Sequence, residues 1–269
     1  MKQEGYAGAD QEIKPFFRYH LIPQIYFFLK GFPKGSFMSV DVTDQCNLRC
    51  AHCYFFEQEQ EGVTPLPDWP DVYFHVSIDG NEEAHETMRR QQGLYRLMMK
   101  NVSRPDLHVT GTMCITSINM NTIEEVLDDW RPHLKGFMFD FYTPIEGLSD
   151  ELWMGWEKRD ELIDQLLRLK KEKYGDFVAM PDRVLELMKS THSKKVTDHC
   201  IFTTHGYSLT TTGGTKEKCM LGPKADCDRC GCVVPFWLHH RIEKKTILKA
   251  TYHEIRRRLG HPGNGRGEA

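Results

Sequence analysis

From residue 72 onward the apolar positions alternate, change period, and alternate again. Val72-Tyr73-Phe74-His75-Val76-Ser77-Ile78 predicts a strand ending in Asp79-Gly80. Glu82 to Asn101 predicts a helix, and Leu107 to Thr116 a strand. Asn121 predicts the N-cap of a helix to Trp130, with Glu124 completing a capping box. Gly136 to Tyr142 predicts another strand. Ser149 then caps a long helix reaching Tyr174, and Pro181-Asp182 opens a shorter one. Alternation of this kind predicts an α/β fold, with a parallel sheet and helices outside it. Upstream, Phe37-Met38-Ser39-Val40-Asp41-Val42-Thr43 predicts a first strand, followed by a loop and a helix from near Cys53 to Glu59. The breakers in Gly62-Val63-Thr64-Pro65-Leu66-Pro67-Asp68-Trp69-Pro70 then forbid regular structure. Residues 15–32 are rich in large apolar groups, but Arg18, His20, Pro23 and Lys30 interrupt them, so no run is long enough to span a bilayer. This segment reads as a helix covering the end of a core. The alternative is a helix in a membrane interface or along an apolar channel.

Length and charge narrow the setting. A chain of 269 residues can bury one α/β core with an appendage. Residues 1–13 are polar and lead into no signal-peptide pattern. Nine cysteines, eight of them in two clusters, point to metal chemistry in a reducing cytoplasm rather than to a disulfide framework. The net charge of −3 hides a basic end, residues 236–269, with eight Lys/Arg against three Asp/Glu. It reads as a solvated helix face followed by an unstructured tail, Pro262 to Gly267. Peripheral contact with anionic lipid is the alternative, and no nucleic-acid partner is expected.

The first cysteine cluster is Cys46-Asn47-Leu48-Arg49-Cys50-Ala51-His52-Cys53, on a loop after the first strand. A tight loop can aim three thiolates at one centre, and thiolates select iron–sulfur clusters or zinc. Ferredoxin and zinc-ribbon spacings do not fit the triplet; a structural zinc knuckle is the bland alternative. The spacing, with Tyr54 directly after it, resembles the signature of the radical S-adenosylmethionine (radical SAM) enzymes. That resemblance implies a 4Fe–4S cluster on Cys46, Cys50 and Cys53, with its fourth iron free to chelate SAM. It implies a partial (βα)6, TIM-like barrel. It places Tyr54, Ser77, Asp79 and Arg89 about the SAM, and it names no catalytic residue. The pattern Arg89-Arg90-Gln91-Gln92-Gly93 after the second strand supports it, although an exposed helix face would also account for Arg89 and Arg90. The chain departs from the family between Cys53 and Val72. There the barrel's strands 2 and 3 are expected, each repeat taking about 30 residues, so the chain is short by roughly 60. The family's Gly-Gly-Glu element, which holds the SAM amino group, is absent; no Gly-Gly pair precedes Gly213-Gly214. Weak SAM binding is the expected consequence.

The second cluster is Cys200, Cys219, Cys227, Cys230 and Cys232. Cys200, Gly214 and Cys219 follow the layout C-x13-G-x4-C, which resembles the auxiliary-cluster domain called SPASM, or its shorter form, twitch. The resemblance implies a second 4Fe–4S cluster, with ligands completed by Cys227, Cys230 and Cys232. Five cysteines exceed the four that one cluster needs, and a four-cysteine zinc site is the alternative. Cys114 reads as a small buried apolar residue. The chain thus divides into an amphipathic segment, 1–36; a shortened radical SAM core, 37–197; a cysteine-rich domain, 198–235; and a basic helix and tail, 236–269. The expected activity is reductive cleavage of SAM to a 5′-deoxyadenosyl radical that modifies a peptide, lipid or small molecule. A reductant such as ferredoxin or flavodoxin would serve it. The alternatives are a non-catalytic iron–sulfur carrier or scaffold, and a hopanoid-type lipid adenosyl transferase.

Overall fold

A computed structural model of the chain describes residues 37–40, 50, 74–103, 109–148, 150–210 and 212–243. The predicted N-terminal segment, the helix after Cys53, the breaker-rich stretch and the basic tail lie outside the described residues.

Three parallel strands form the central sheet, in the order β2 (Phe74–Ser77), β3 (Val109–Ile115), β4 (Phe137–Phe141). Its two faces differ. Val109, Met113, Ile115, Phe137, Phe139 and Phe141 are buried, while Thr110, Thr112, Cys114, Met138 and Asp140 are only half-buried. The first set packs against α3 (Ile123–Trp130) and α4 (Trp156–Leu169) through Val126, Leu127, Trp130, Leu162, Ile163 and Leu166. Trp130 meets Tyr95 edge-on at 5.2 Å between centroids. The side chain of Gly111 is missing for a reason: a Cβ there would run into the Phe137 ring.

The expected helix from Glu82 to Asn101 is two helices, α1 (Glu82–Arg89) and α2 (Leu94–Val102). Arg90, at φ 54°, takes the left-handed cap of α1, and Gly93, at φ 76°, opens α2. Asn121 does not cap α3. A 3₁₀ turn, Met120–Thr122, precedes it, and Thr122 holds the cap position without a side-chain bond to the helix amides; its hydroxyl donates back to the Asn119 carbonyl. The expected helix from Ser149 to Tyr174 is interrupted at Gly155, whose φ of +83° no helix accommodates. A 3₁₀ turn, Asp150–Leu152, stands before it, and the end of α4 widens into a π turn, Lys170–Tyr174. Ser149 itself is outside the described residues. Pro181 does open a helix, α5 (Asp182–Leu187).

α6 (Ser190–Thr197) and α7 (Ile201–His205) lead to β5 (Gly206–Leu209), a strand that the Gly/Thr-rich composition downstream concealed. β5 pairs in parallel with β1 (Phe37–Val40), not with the central sheet. The first strand therefore gains its partner from the cysteine-rich end of the chain. The last helix among the described residues, α8 (Val233–Ile242), starts directly after Cys232, with His239 and His240 near its end. No helix among the described residues is long and apolar enough to cross a membrane.

Candidate functional site

The candidate site lies at the carboxyl ends of β2, β3 and β4, where open parallel sheets generally bind their ligands. In register, Ser77 faces Thr112, which faces Met138; two residues further on, Cys114 faces Asp140. Asp79 follows Ser77 by two and is buried. Three predicted residues meet here. Arg89 Nε donates to Asp79 Oδ2 at 2.6 Å, and the same guanidinium hydrogen-bonds Cys50. Burial would lower the Arg89 pKa, but Asp79 and Cys50 together raise it above its ordinary value. Arg89 thus ties the middle cysteine of the first motif to the end of β2. Cys46, Cys53 and Tyr54 lie outside the described residues. Ser77 is exposed at the last position of β2, apart from the Arg89–Asp79 pair.

The strand end is locked by residues that the sequence pattern did not single out. Asn119 Nδ2 donates to the carbonyls of Cys114 (2.9 Å) and Asp79 (3.2 Å), and its Oδ1 accepts from Thr116 N at 2.8 Å. The Asp79 N–H donates to His85 Nδ1 at 3.0 Å. Gly80, at φ +122°, packs so close to Ala84 that a Cβ would collide with it. Asn119→Ala should leave two carbonyls and one amide short of partners, at a cost of about 2–4 kcal/mol. A thermal melt should show Tm lower by roughly 5–12 °C at this chain length; an unchanged Tm would mean that β2 and β3 are held otherwise. Cys114 sits beside Asp79 and Asp140, and burial pushes its thiol well above the usual range, with both carboxylates adding to the shift.

The five C-terminal cysteines converge. Cys200, Cys219, Cys227, Cys230 and Cys232 all line one pocket, whose other walls include Phe202, Met220, Leu221 and Val234. Local structure sets each thiol: Cys200 stands at the N-cap of α7, Cys232 at that of α8, and Cys227 opens a 3₁₀ turn, Cys227–Arg229. Asp226 caps that turn, accepting from Asp228 N and Arg229 N, and Arg229 links Asp226 to Asp150. Burial raises Cys230 to about 12 and pushes Cys232 well above its ordinary value; Cys219 and Cys227 rise as well. Burial in apolar surroundings raises a thiol in this way with or without a metal. The bearing on a metal comes from the donor set itself: five sulfurs on one pocket are of the type that zinc or an iron–sulfur cluster takes. Among the described residues no three His, Cys, Asp or Glu are already gathered about a single ion position.

The two regions are joined. Residues 224–233 run along the extension of β4: Phe141 N donates to the Gly231 carbonyl, Gly231 N to Thr143 Oγ1 and Asp226 N to the Pro144 carbonyl. Val233 N donates to Asp140 Oδ1 at 2.6 Å. Burial lifts Asp140 to about 6, against that hydrogen bond. Asp140 thus stands between Cys114 of the strand ends and Cys232 of the pocket.

No family model and no curated protein matches the chain. The fold is similar to that of Streptococcus suis SuiB bound to precursor peptide SuiA, with TM-score 0.53 at 9% identity, over 93% of this chain and 74% of that one. SuiB bound to S-adenosylmethionine matches with TM-score 0.49 at 10% identity, over 78% of this chain and 66% of that one. At such identities the likeness is one of fold: an α/β chain with a small parallel sheet and helices around it.

Proposed function

We propose that the chain is a radical SAM enzyme that modifies a peptide and carries a second, C-terminal iron–sulfur centre. The observation that carries this reading is the meeting of Cys50 with Arg89 and Asp79 at the carboxyl ends of parallel strands. It sets the middle cysteine of a radical SAM-like triplet beside the two residues that the same resemblance places near SAM. The peptide substrate is supported by the fold likeness to SuiB, whose structure holds a precursor peptide. The first cluster would be held by Cys46, Cys50 and Cys53, and the second by Cys200, Cys219 and at least two of Cys227, Cys230 and Cys232. When bound, the first cluster supplies the electron that cleaves SAM to methionine and a 5′-deoxyadenosyl radical.

The protein's own part is placement. Arg89, fixed by Asp79, presents a cation on the Cys50 side of the sheet end, where an anionic group such as the SAM carboxylate finds a charge-assisted donor. The aromatic and aliphatic core beneath β3 and β4 holds that end rigid. In the test, the full chain is reconstituted anaerobically with iron and sulfide and given SAM and dithionite. 5′-Deoxyadenosine and methionine should form in equal amounts. A protein that binds iron but forms neither is an electron carrier or scaffold, and the enzyme reading fails.

A further inference from the structure

Arg159 occupies a position on α4 where the helix otherwise turns Leu162, Ile163 and Leu166 into the core, and it is 0% exposed. Its guanidinium is sandwiched between the rings of Phe141, 4.7 Å away, and Trp156, 4.8 Å away. Nη1 donates to the Cys230 carbonyl at 2.8 Å. Nε and Nη2 are buried and reach no hydrogen-bond acceptor. Asp160, next in the chain, is engaged by the amide and hydroxyl of Ser190, and no ion pair to Arg159 exists among the described residues. A buried guanidinium with no ion pair and two N–H groups without acceptors is costly. The cysteine pocket adjoins it, because the carbonyl that Arg159 holds belongs to one of the pocket's own cysteines; the other negative group whose field reaches it, Asp160, is already engaged by Ser190.

We propose that Arg159 is the buried counter-cation of the metal-bound thiolates of the C-terminal cysteine centre. This rests on the reading that the five cysteines hold a metal. Four thiolates on a 4Fe–4S cluster, or on zinc, leave a net negative charge in a pocket with apolar walls. A fixed guanidinium at Cys230 balances it without ligating, and its two ring neighbours keep water from screening it. Arg159 is a positioning and charge-balancing residue, not a catalytic one.

The test uses the full chain with Cys46, Cys50 and Cys53 changed to Ala, so that only the C-terminal centre takes metal. Three versions are compared after anaerobic reconstitution: Arg159 retained, Arg159→Lys and Arg159→Gln. Gln keeps a donor for the Cys230 carbonyl and removes the charge; Lys keeps the charge. Metal content is measured, then the rate at which a chelator strips it, and, where the metal is iron, the reduction potential. Arg159→Gln should lose metal about ten-fold faster or more, in the range found when groups supporting metal ligands are removed. Its potential should move to more negative values, because the more highly charged reduced state loses its cation. Arg159→Lys should stay near the parent in both. A parent that binds no metal overturns both the metal reading and this inference. A parent that binds metal, with Arg159→Gln matching it in stripping rate and potential, overturns the inference alone. Equal losses in Lys and Gln would show that the shape of the side chain, not its charge, matters, and would overturn it too. If Arg159→Gln does not fold, Arg159→Met, which preserves the stem between the two rings, takes its place in the same comparison.

Discussion

Gly231→Ala should empty the C-terminal cysteine pocket of the metal proposed for it. The glycine is clamped from both sides: its carbonyl accepts from Phe141 N at 2.9 Å, and its amide donates to Thr143 Oγ1 at 2.8 Å. A methyl group would overlap the Phe141 carbonyl and lie inside contact distance of Phe141 Cβ. The closest of these are backbone atoms of β4, so nothing soft can move aside, and overpacking of this sort costs about 3 kcal/mol or more. The strain has one outlet, displacement of residues 230–232, and that carries two thiols out of the pocket at once. Iron bound by the full chain should fall to what the first motif alone can hold, and the end of α8 nearest Asp140 should lose its protection from hydrogen exchange. Gly214→Ala is the contrast. There the added methyl meets a Thr210 side-chain oxygen at 3.1 Å, and a small adjustment relieves it. Equal metal content in the two variants would show that the pocket does not depend on its seam with β4.

That seam shows how far the sequence could be read. The three central strands fall where alternation predicted them, because Val109 to Ile115 and Phe137 to Phe141 bury one face only. Asp79 and Arg89 were legible through a resemblance, and the structure brings them together at 2.6 Å. The breaks at Arg90 and Gly155 were not legible, since a helix-period pattern continues across a single residue that leaves the helix. β5, Gly206 to Leu209, escaped notice because it runs straight into the Gly/Thr-rich stretch after it, with no alternating flank to extend its pattern. Asn119 and Arg159 escaped for a different reason. Each is a polar residue in a stretch that reads as an ordinary turn or solvated helix face. Only the tertiary fold brings the Cys114 carbonyl to one and the Cys230 carbonyl to the other. The flanking cysteines, Cys46 and Cys53, fall on residues outside those described.

Cys50→Ala should abolish SAM cleavage, with 5′-deoxyadenosine falling at least about a hundred-fold, because the step depends wholly on the cluster's electron. Two effects coincide at this residue. A cluster held by three protein thiolates would lose a third of its attachment, and Arg89 loses the Cys50 sulfur beside it. With Asp79 still present the guanidinium stays paired, so the fold should survive and Tm should drop little. Arg89→Met separates the two effects. It leaves all three cysteines in place, but exposes the buried Asp79 carboxylate to an apolar neighbour; breaking such a pair costs about 3–5 kcal/mol. The variant should therefore bind iron yet melt lower, and it should cleave SAM poorly because the substrate's anionic end has no donor. Iron quantified alongside 5′-deoxyadenosine decides between them. In Cys50→Ala both should fall, with the iron of the C-terminal pocket remaining; in Arg89→Met only the product should fall. If Cys50→Ala kept full SAM cleavage, the triplet would not be the SAM-cleaving centre, and the Arg89–Asp79 pair would be a structural lock at the end of β2 and nothing more.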